Sequence, residues 1–164
     1  MKPVIYLASG WFNPAQKKQM EEIYRVLLEL RLQGTIEFFS PFYDGIVLKG
    51  KEDPEWRKKM KEVWELDIQK VRESNLIVAS TQDHDVGTIF ECGYASCCKI
   101  PILCYNSNPE LGLNVMLAQE ARGFIKHPAQ LLEAIQSYID YLESAHVHQN
   151  DDPWTFNLWQ GEPV

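Results

Sequence analysis

Residues 76–95 have the sequence LIVASTQDHDVGTIFECGYA, an apolar run that leads through a polar turn into a second segment. The apolar run is typical of a buried parallel strand, and the turn predicts that a helix follows it. In open α/β sheets, ligands bind outside the carboxyl ends of the strands, where the next helix presents free N–H groups. Glu91 falls in the first turns of this predicted helix, so we expect its carboxylate to point toward a ligand.

Strands and helices alternate along the rest of the chain. Strands are predicted at 4–7, 36–39, 76–79, 100–104 and 124–125; helices from Asn13-Pro14 to Leu32, from Asp53-Pro54 onward, around Glu91, at 113–121 and at about 128–143; and a long loop at 40–53. Continuous apolar strands between helices indicate a parallel sheet covered on both faces. We therefore predict an α/β fold, a doubly wound five-stranded parallel sheet with the flavodoxin-like (Rossmann-like) order. This order brings together Tyr6, Ser9, Gly10, Asp85 and Glu91.

The third predicted helix places a carboxylate among apolar residues. Its apolar stripe comprises Trp56, Met60, Val63, Trp64 and Val71. Asp67 falls on the same stripe, where an ionised group costs free energy unless it is paired or hydrogen-bonded. Catalysis is one explanation, and a structural role in capping a loop or pairing with a basic side chain is the other.

Other candidate residues also have structural alternatives. Asp85 precedes the predicted Glu91 helix, where Asp is commonly the N-cap. Glu91 itself could simply complement the helix dipole. Gly87 lets the backbone of the turn approach a ligand.

Composition restricts the class of partner. The 164 residues suit a single domain, and the net charge of −7 argues against a surface that tracks nucleic-acid phosphates. No segment approaches the roughly 20 apolar residues that span a bilayer, so we expect a cytoplasmic protein with a small-molecule partner and no membrane or nucleic-acid partner. We expect no cofactor or metal, because dinucleotide, P-loop and histidine-pair motifs are missing from the sequence. The four cysteines suit neither a disulfide framework nor a paired zinc site.

Taken together in order, these residues resemble the nucleoside 2-deoxyribosyltransferase family. The resemblance rests on Ile5-Tyr6 with Gly10-Trp11-Phe12, on Asp67, on Asp85-Val86-Gly87 followed by Glu91-Cys92-Gly93-Tyr94-Ala95, and on Leu113-Asn114-Val115-Met116. It implies exchange of the base on a 2′-deoxynucleoside with retention at the anomeric carbon, as a step of nucleotide salvage. Glu91 would be the nucleophile that holds the sugar as a covalent ester, by the logic of retaining glycosidases.

The resemblance also implies roles for the surrounding residues. Asp67 would protonate the leaving base, and Tyr6 would hold the Glu91 carboxylate by a hydrogen bond; Asp67 and Asp85 could exchange roles. Asp85 and Asn114 would bind sugar hydroxyls. Gly10 and Gly87 would let the backbone approach the substrate. Phe12 would flank the base, with Trp11 either beside it or in the core, and Asp44 is a possible base contact.

Family resemblance further implies a homo-oligomer, a hexamer or dimer, with shared active sites. Asn114 and the C-terminal tail, residues 145–164, would reach the site of a neighbouring subunit. The aromatic residues of this tail, Trp154, Phe156 and Trp159, must dock on something, and packing within their own chain is the alternative.

Two other functions compete with base exchange. One is hydrolysis of 2′-deoxynucleoside 5′-monophosphates, for which Ser9-Gly10 and the following helix start could hold a phosphate. Asp85 nearby suits a free hydroxyl better than a phosphate. The other is a nucleotide-sensing module that binds its ligand unchanged.

Overall fold

Five parallel strands form the central layer of the computed structural model, which describes residues 2–144 together with Trp154 and Phe156. The strands are β1 (Val4–Ala8), β2 (Glu37–Phe39), β3 (Leu76–Ser80), β4 (Ile102–Tyr105) and β5 (Gly123–Ile125). Their order is β2-β1-β3-β4-β5, with every neighbouring pair parallel. The predicted doubly wound, flavodoxin-like sheet is confirmed.

Helices cover both faces of the sheet. They are α1 (Pro14–Leu32), α2 (Pro41–Asp44), α3 (Trp56–Glu73), α4 (Val86–Cys97), α5 (Val115–Glu120) and α6 (Pro128–Ser144). Side chains of α1 and α6 share one core cluster with one face of the sheet. Side chains of α3, α4 and α5 share a second cluster with the other face. No helix among the described residues is long and apolar enough to cross a membrane.

The two-residue period of strand β1 determines which side chains can reach α4. Ile5 and Leu7 point into the cluster with α1 and α6, whereas Tyr6 and Ala8 point into the cluster with α3 and α4. Tyr6 is therefore directed toward the helix that carries Glu91.

Several predicted boundaries differ from the structure by one or two residues, and the segment before α3 differs more. The segment 40–53 is not a continuous loop, since Pro41–Asp44 forms the short helix α2. Helix α3 begins at Trp56 rather than at Asp53-Pro54. Asp53 instead accepts a hydrogen bond from the Glu55 amide at 2.9 Å and pairs with Lys59 at 2.7 Å, which stabilises a turn before the helix.

Much of the predicted apolar stripe on α3 faces outward in the single chain. Val71 is buried, but Met60 is 42% exposed and Trp64 is 55% exposed. Burial on α3 is confined to Ile68 and Val71, near its carboxyl end. The amino-terminal half of the helix thus presents apolar side chains to solvent.

The described part of the tail packs within its own chain. Trp154 is buried, its ring centroid lies 4.9 Å from that of Tyr138, and its indole N–H donates to Ser137 Oγ at 3.3 Å. The Phe156 amide donates to the Arg122 carbonyl at 2.8 Å. For these two aromatic residues the structure shows packing within their own chain, which was the alternative to docking on a neighbouring subunit. The predicted docking of Trp159 and of the remaining tail lies outside the described residues.

Candidate active site

A tyrosine and a glutamate meet at the centre of the site. The Tyr6 hydroxyl donates to Glu91 Oε1 at 2.6 Å, linking β1 to α4 across residues that are 85 positions apart in sequence. Burial, followed by the negative charges of Glu91 and Asp67, raises the pKa of Tyr6 above its ordinary value. The phenol therefore keeps its proton and acts as the donor. The structure contains the hydrogen bond that the family resemblance implied.

Glu91 is held in an environment that opposes its charge. Burial raises the pKa of Glu91 from 4.5 to about 8; the Tyr6 hydrogen bond lowers it, and the negative charges of Asp67 and Asp85 raise it further. Low polarity and neighbouring carboxylates both favour the neutral acid. A desolvated carboxylate of this kind is typical of functional sites.

Asp67 is the second carboxylate of the cluster. Burial raises its pKa from 3.8 to about 6. Within residues 2–144, Asp67 makes no hydrogen bond or ion pair, so the described chain does not use it to cap a loop or to neutralise a basic side chain. Its electrostatic effect on both Tyr6 and Glu91 places it close to them. Proximity and partial burial support a chemical role for Asp67, which stays a prediction.

Asp85 has the capping role that the sequence suggested, while its role in binding substrate stays a prediction. Its Oδ2 accepts hydrogen bonds from the Thr88 amide at 2.9 Å and the Thr88 hydroxyl at 3.0 Å, which makes it the N-cap of α4. Its Oδ1 has no hydrogen-bond donor among the described residues. One carboxylate can thus cap the helix and still present a free oxygen to a ligand.

Two glycines allow the chain to pass close to Asp85. A Cβ atom on Gly10 would lie 3.0 Å from Asp85 Cγ and 2.9 Å from the side chain of Gln16. A Cβ atom on Gly87 would lie 3.2 Å from Asp85 Oδ2. The close approach explains why both positions suit glycine, although their contribution to substrate binding stays a prediction.

A strained turn precedes Asp85, and the sequence analysis did not predict it. Asp83 and His84 have φ values of 57° and 47°, in the left-handed region that non-glycine residues seldom adopt. Asn13 Nδ2 donates to Asp83 Oδ2 at 2.8 Å, and Gln82 Nε2 donates to Asp83 Oδ1 at 2.6 Å. The bond from Asn13 ties the turn to the start of α1, and the bond from Gln82 lies within the turn. The only signal in the sequence is the tolerance of Asp and His for this conformation.

Aromatic rings border the site on the side of the β1–α1 loop. Phe12 is 74% exposed, and its ring centroid lies 5.3 Å from that of Trp11. Trp11 packs partly against the core, as the sequence alternative had it, and its ring lies 5.5 Å from that of Phe42. The exposed ring of Phe12 offers a flat apolar surface to a base.

Two predicted binding residues lie away from this cluster in the single chain. Asn114 caps α5 by accepting from the Met116 amide at 2.9 Å, and it lines a cavity of about 650 Å³ between α4 and α5. Asp44 accepts from the Ser40 amide at 2.9 Å and closes the turn of α2. Neither Asn114 nor Asp44 contacts Glu91 within the described chain. Cys92 and Gly93, which follow Glu91 on α4, line the cavity. Tyr6, Asp67 and Glu91 do not line it.

Sequence reasoning also missed Gln16. The side-chain oxygen of Gln16 accepts from the backbone amide of Phe12 at 3.0 Å, and the backbone amide of Gln16 donates to Asn13 Oδ1 at 2.9 Å. The signal was available, because Asn13 followed three residues later by Gln16 matches the reciprocal capping pattern of helix starts. Gln16 connects the loop that carries Phe12 with the surroundings of Asp85.

Comparisons with known proteins identify a family for this chain. The sequence model described as nucleoside 2-deoxyribosyltransferase matches residues 5–134. No curated protein is similar enough in sequence to match the chain.

Three solved structures share the fold. A 2-deoxyribosyltransferase from Bacillus psychrosaccharolyticus has 22% identity and a TM-score of 0.64, over 79% of this chain and 90% of that chain. A conserved protein from Enterococcus faecalis V583 has 19% identity and a TM-score of 0.66, over 84% and 99%. A CMP N-glycosidase from Clostridium botulinum has 18% identity and a TM-score of 0.52, over 81% and 98%. Because the family model spans most of the sequence, the chain belongs to the nucleoside 2-deoxyribosyltransferase family.

Proposed function

We propose that this enzyme exchanges the base on 2′-deoxynucleosides, purine or pyrimidine, through a covalent deoxyribosyl intermediate on Glu91, as part of nucleotide salvage in the cytoplasm. The observation that carries the proposal is the 2.6 Å hydrogen bond from Tyr6 to a desolvated Glu91 in a cluster with Asp67 and Asp85. A carboxylate in this setting can stabilise an oxocarbenium-like transition state and then bond to it.

In the first step a Glu91 carboxylate oxygen attacks C1′ of the sugar. The bond between C1′ and the base nitrogen breaks, and its electron pair leaves with the base. Asp67 donates a proton to the departing base, because a base leaves poorly as an anion. Tyr6 keeps the attacking carboxylate in a fixed orientation through its hydrogen bond.

In the second step a nitrogen of the incoming base attacks C1′ of the ester. Glu91 leaves with the electron pair, and Asp67 takes up the proton that the incoming base loses. Two inversions at C1′ give net retention. The same residues thus serve both directions of the exchange.

The protonation state that the reaction needs differs from the state that the two pKa values favour only in which carboxylate carries the proton. Glu91 must be ionised and Asp67 neutral, so the carboxylate pair must carry a single proton. The pKa values, about 8 for Glu91 and about 6 for Asp67, favour that singly protonated pair near neutral pH. Substrate binding would then move the proton from Glu91 to Asp67.

Incubation of a 2′-deoxynucleoside with a different free base tests the function. Chromatography should show the new deoxynucleoside. Free base without the new nucleoside would indicate hydrolysis, and unchanged substrate would indicate a binding module. After a rapid quench, mass spectrometry should find the deoxyribosyl adduct on the peptide that contains Glu91. If Glu91→Ala exchanges bases at the same rate as wild type, Glu91 is not the nucleophile.

In this proposal the enzyme works as a homo-oligomer whose subunits share their sites. The exposed apolar side chains of Met60 and Trp64 on α3 support a subunit contact. Asn114 makes no hydrogen bond with Glu91 among the described residues of its own chain, which is consistent with its insertion into a neighbour. Light scattering should find a dimer or hexamer. Mixing inactive Glu91→Ala and Asn114→Ala subunits should restore activity only if the site is shared, because some sites then hold both intact residues.

A further inference from the structure

Gln16 occupies the third position of helix α1 and is almost fully buried, with 6% of its surface exposed. Its side-chain oxygen accepts from the Phe12 amide, and its backbone amide donates to Asn13 Oδ1. The bond to Asn13 caps the helix, and the bond from the Phe12 amide holds the loop that precedes it. If capping were its only role, the rest of the side chain would need no further partner.

The other end of the amide is open. Since the Phe12 N–H requires an oxygen, the NH₂ group of Gln16 must point away from Phe12. Within the part of the chain that the structure describes, this NH₂ group donates no hydrogen bond. It is not sealed in the core either, because Ser40 Oγ is the one described side-chain atom that is both fully buried and unpaired. A donor that is ordered by its own oxygen and still open to solvent is available to a ligand.

Gly10 lies beside both the side-chain amide group of Gln16 and the carboxylate of Asp85. A Cβ atom on Gly10 would lie 2.9 Å from both Cδ and Oε1 of Gln16 and 3.0 Å from Asp85 Cγ. The amide of Gln16 and the carboxylate of Asp85 therefore flank the same glycine at the end of β1. Oδ2 of Asp85 is used by Thr88, which leaves Oδ1 for a ligand.

A donor and an acceptor side by side match the chemistry of a hydroxyl group, which donates one hydrogen bond and accepts others. A phosphate ester oxygen only accepts, and its charge is repelled by the Asp85 carboxylate. The arrangement thus selects a free hydroxyl over the corresponding phosphate.

We propose that Gln16 is a substrate-binding residue, which together with Asp85 holds one hydroxyl of the deoxyribose and makes the site select nucleosides over nucleotides. The inference rests on the proposed function, because it takes the ligand to be a deoxynucleoside. It adds Gln16 as a hydrogen-bond donor to the hydroxyl-binding role expected of Asp85.

The variant Gln16→Glu removes the donor and also adds a negative charge beside the Asp85 carboxylate. A carboxylate of the same length still accepts from the Phe12 amide, and Glu is favourable in the first turn of a helix. The melting temperature of Gln16→Glu is measured beside its affinity to show that the fold persists, because Asp85 repels the added carboxylate. Calorimetry should show that Gln16→Glu binds a 2′-deoxynucleoside about tenfold to hundredfold more weakly than wild type, as expected for one lost hydrogen bond beside an unpaired acceptor.

Helix α6 supplies a matched control. Gln130 follows His127-Pro128-Ala129 just as Gln16 follows Asn13-Pro14-Ala15, and its oxygen accepts from the Lys126 amide, four residues back, at 3.2 Å. Gln130→Glu therefore makes the same chemical change at the same helix position, away from the site. Its affinity should equal that of wild type.

Analogues that lack the 3′-hydroxyl or the 5′-hydroxyl identify the contact. For one of the two analogues, wild type and Gln16→Glu should bind equally well, because the group that Gln16 contacts is gone. If Gln16→Glu binds the unmodified nucleoside as tightly as wild type does, or if its defect persists in full with both analogues, Gln16 only caps the helix and the inference is wrong.

Binding and base exchange are measured separately. Wild type that binds the nucleoside without exchanging its base would refute the proposed function and leave the comparison of Gln16→Glu with wild type intact. Wild type that binds no deoxynucleoside would refute both.

Discussion

Replacing Glu91 by glutamine should make the protein more stable at alkaline pH, although it removes the proposed nucleophile. The reason is the burial of Glu91, which raises its pKa from 4.5 to about 8. Above pH 4.5 the unfolded chain releases the proton of this side chain, while the folded protein keeps it until about pH 8. The unfolded state then binds fewer protons than the folded state, so stability falls as pH rises through this window.

The magnitude follows from the pKa. Each pH unit in which only the folded state holds the proton lowers stability by about 1.36 kcal/mol. Between about pH 5 and pH 8 wild type should therefore lose on the order of 3 kcal/mol through Glu91. The glutamine side chain of the variant has no proton to release, and its oxygen can still accept from Tyr6. Glu91→Gln should match wild type near the acidic end of this range and exceed it by about this amount at the alkaline end.

Urea unfolding followed by tryptophan fluorescence at a series of pH values between about 5 and 8 measures the effect. The protein concentration must stay constant, because assembly also contributes to stability. Glu133→Gln is a matched control, since Glu133 is exposed on α6; its stability should run parallel to that of wild type at all pH values. If the curves of wild type and Glu91→Gln also run parallel, Glu91 has an ordinary pKa and the desolvated nucleophile is refuted.

Three further outcomes are expected. For wild type, the plot of kcat/KM for base exchange against pH should be bell-shaped, with limbs near about pH 6 and about pH 8. Asp67→Asn should lose the alkaline fall, because activity no longer requires a single proton shared between Asp67 and Glu91. An unchanged bell in this variant would exclude Asp67 as the proton donor. Tyr6→Phe should lower kcat/KM about tenfold to hundredfold and move the alkaline limb to higher pH, since the Tyr6 hydrogen bond lowers the pKa of Glu91. Steady-state rates measured across pH test this, and an alkaline limb that does not move would contradict the role given to Tyr6. Gly10→Ala should destabilise by about 1–3 kcal/mol and impair substrate binding, because its Cβ would lie within 3.0 Å of neighbouring side chains. Gly93→Ala in helix α4 should instead stabilise by about 0.5–1 kcal/mol, because nothing lies within 4 Å of its Cβ, and equal melting temperatures for the two variants would contradict the steric argument.

Local patterns in the sequence were sufficient for the architecture, whereas the Tyr6–Glu91 hydrogen bond was expected from the family resemblance. Apolar runs and helix-start residues are properties of short segments, so the alternation of strands and helices could be predicted from them. Parallel strands with right-handed crossovers then permit few orders, and the predicted order is the observed one. The two-residue period of β1 adds that Tyr6 and Ile5 face opposite layers, which directs Tyr6 toward Glu91.

Only the tertiary structure decided how individual polar and apolar groups are matched. The sequence left two explanations for Asp67, a catalytic one and a structural one. In the described part of the chain Asp67 has no hydrogen-bond or ion-pair partner, and burial raises its pKa. Asp85 proved to cap α4 with one oxygen and to leave the other open. The start of α3 and the exposure of Trp64 could not be predicted either. Such features depend on contacts between residues far apart in sequence, which segment periodicity does not encode, whereas strand and helix formation depends mainly on neighbours along the chain.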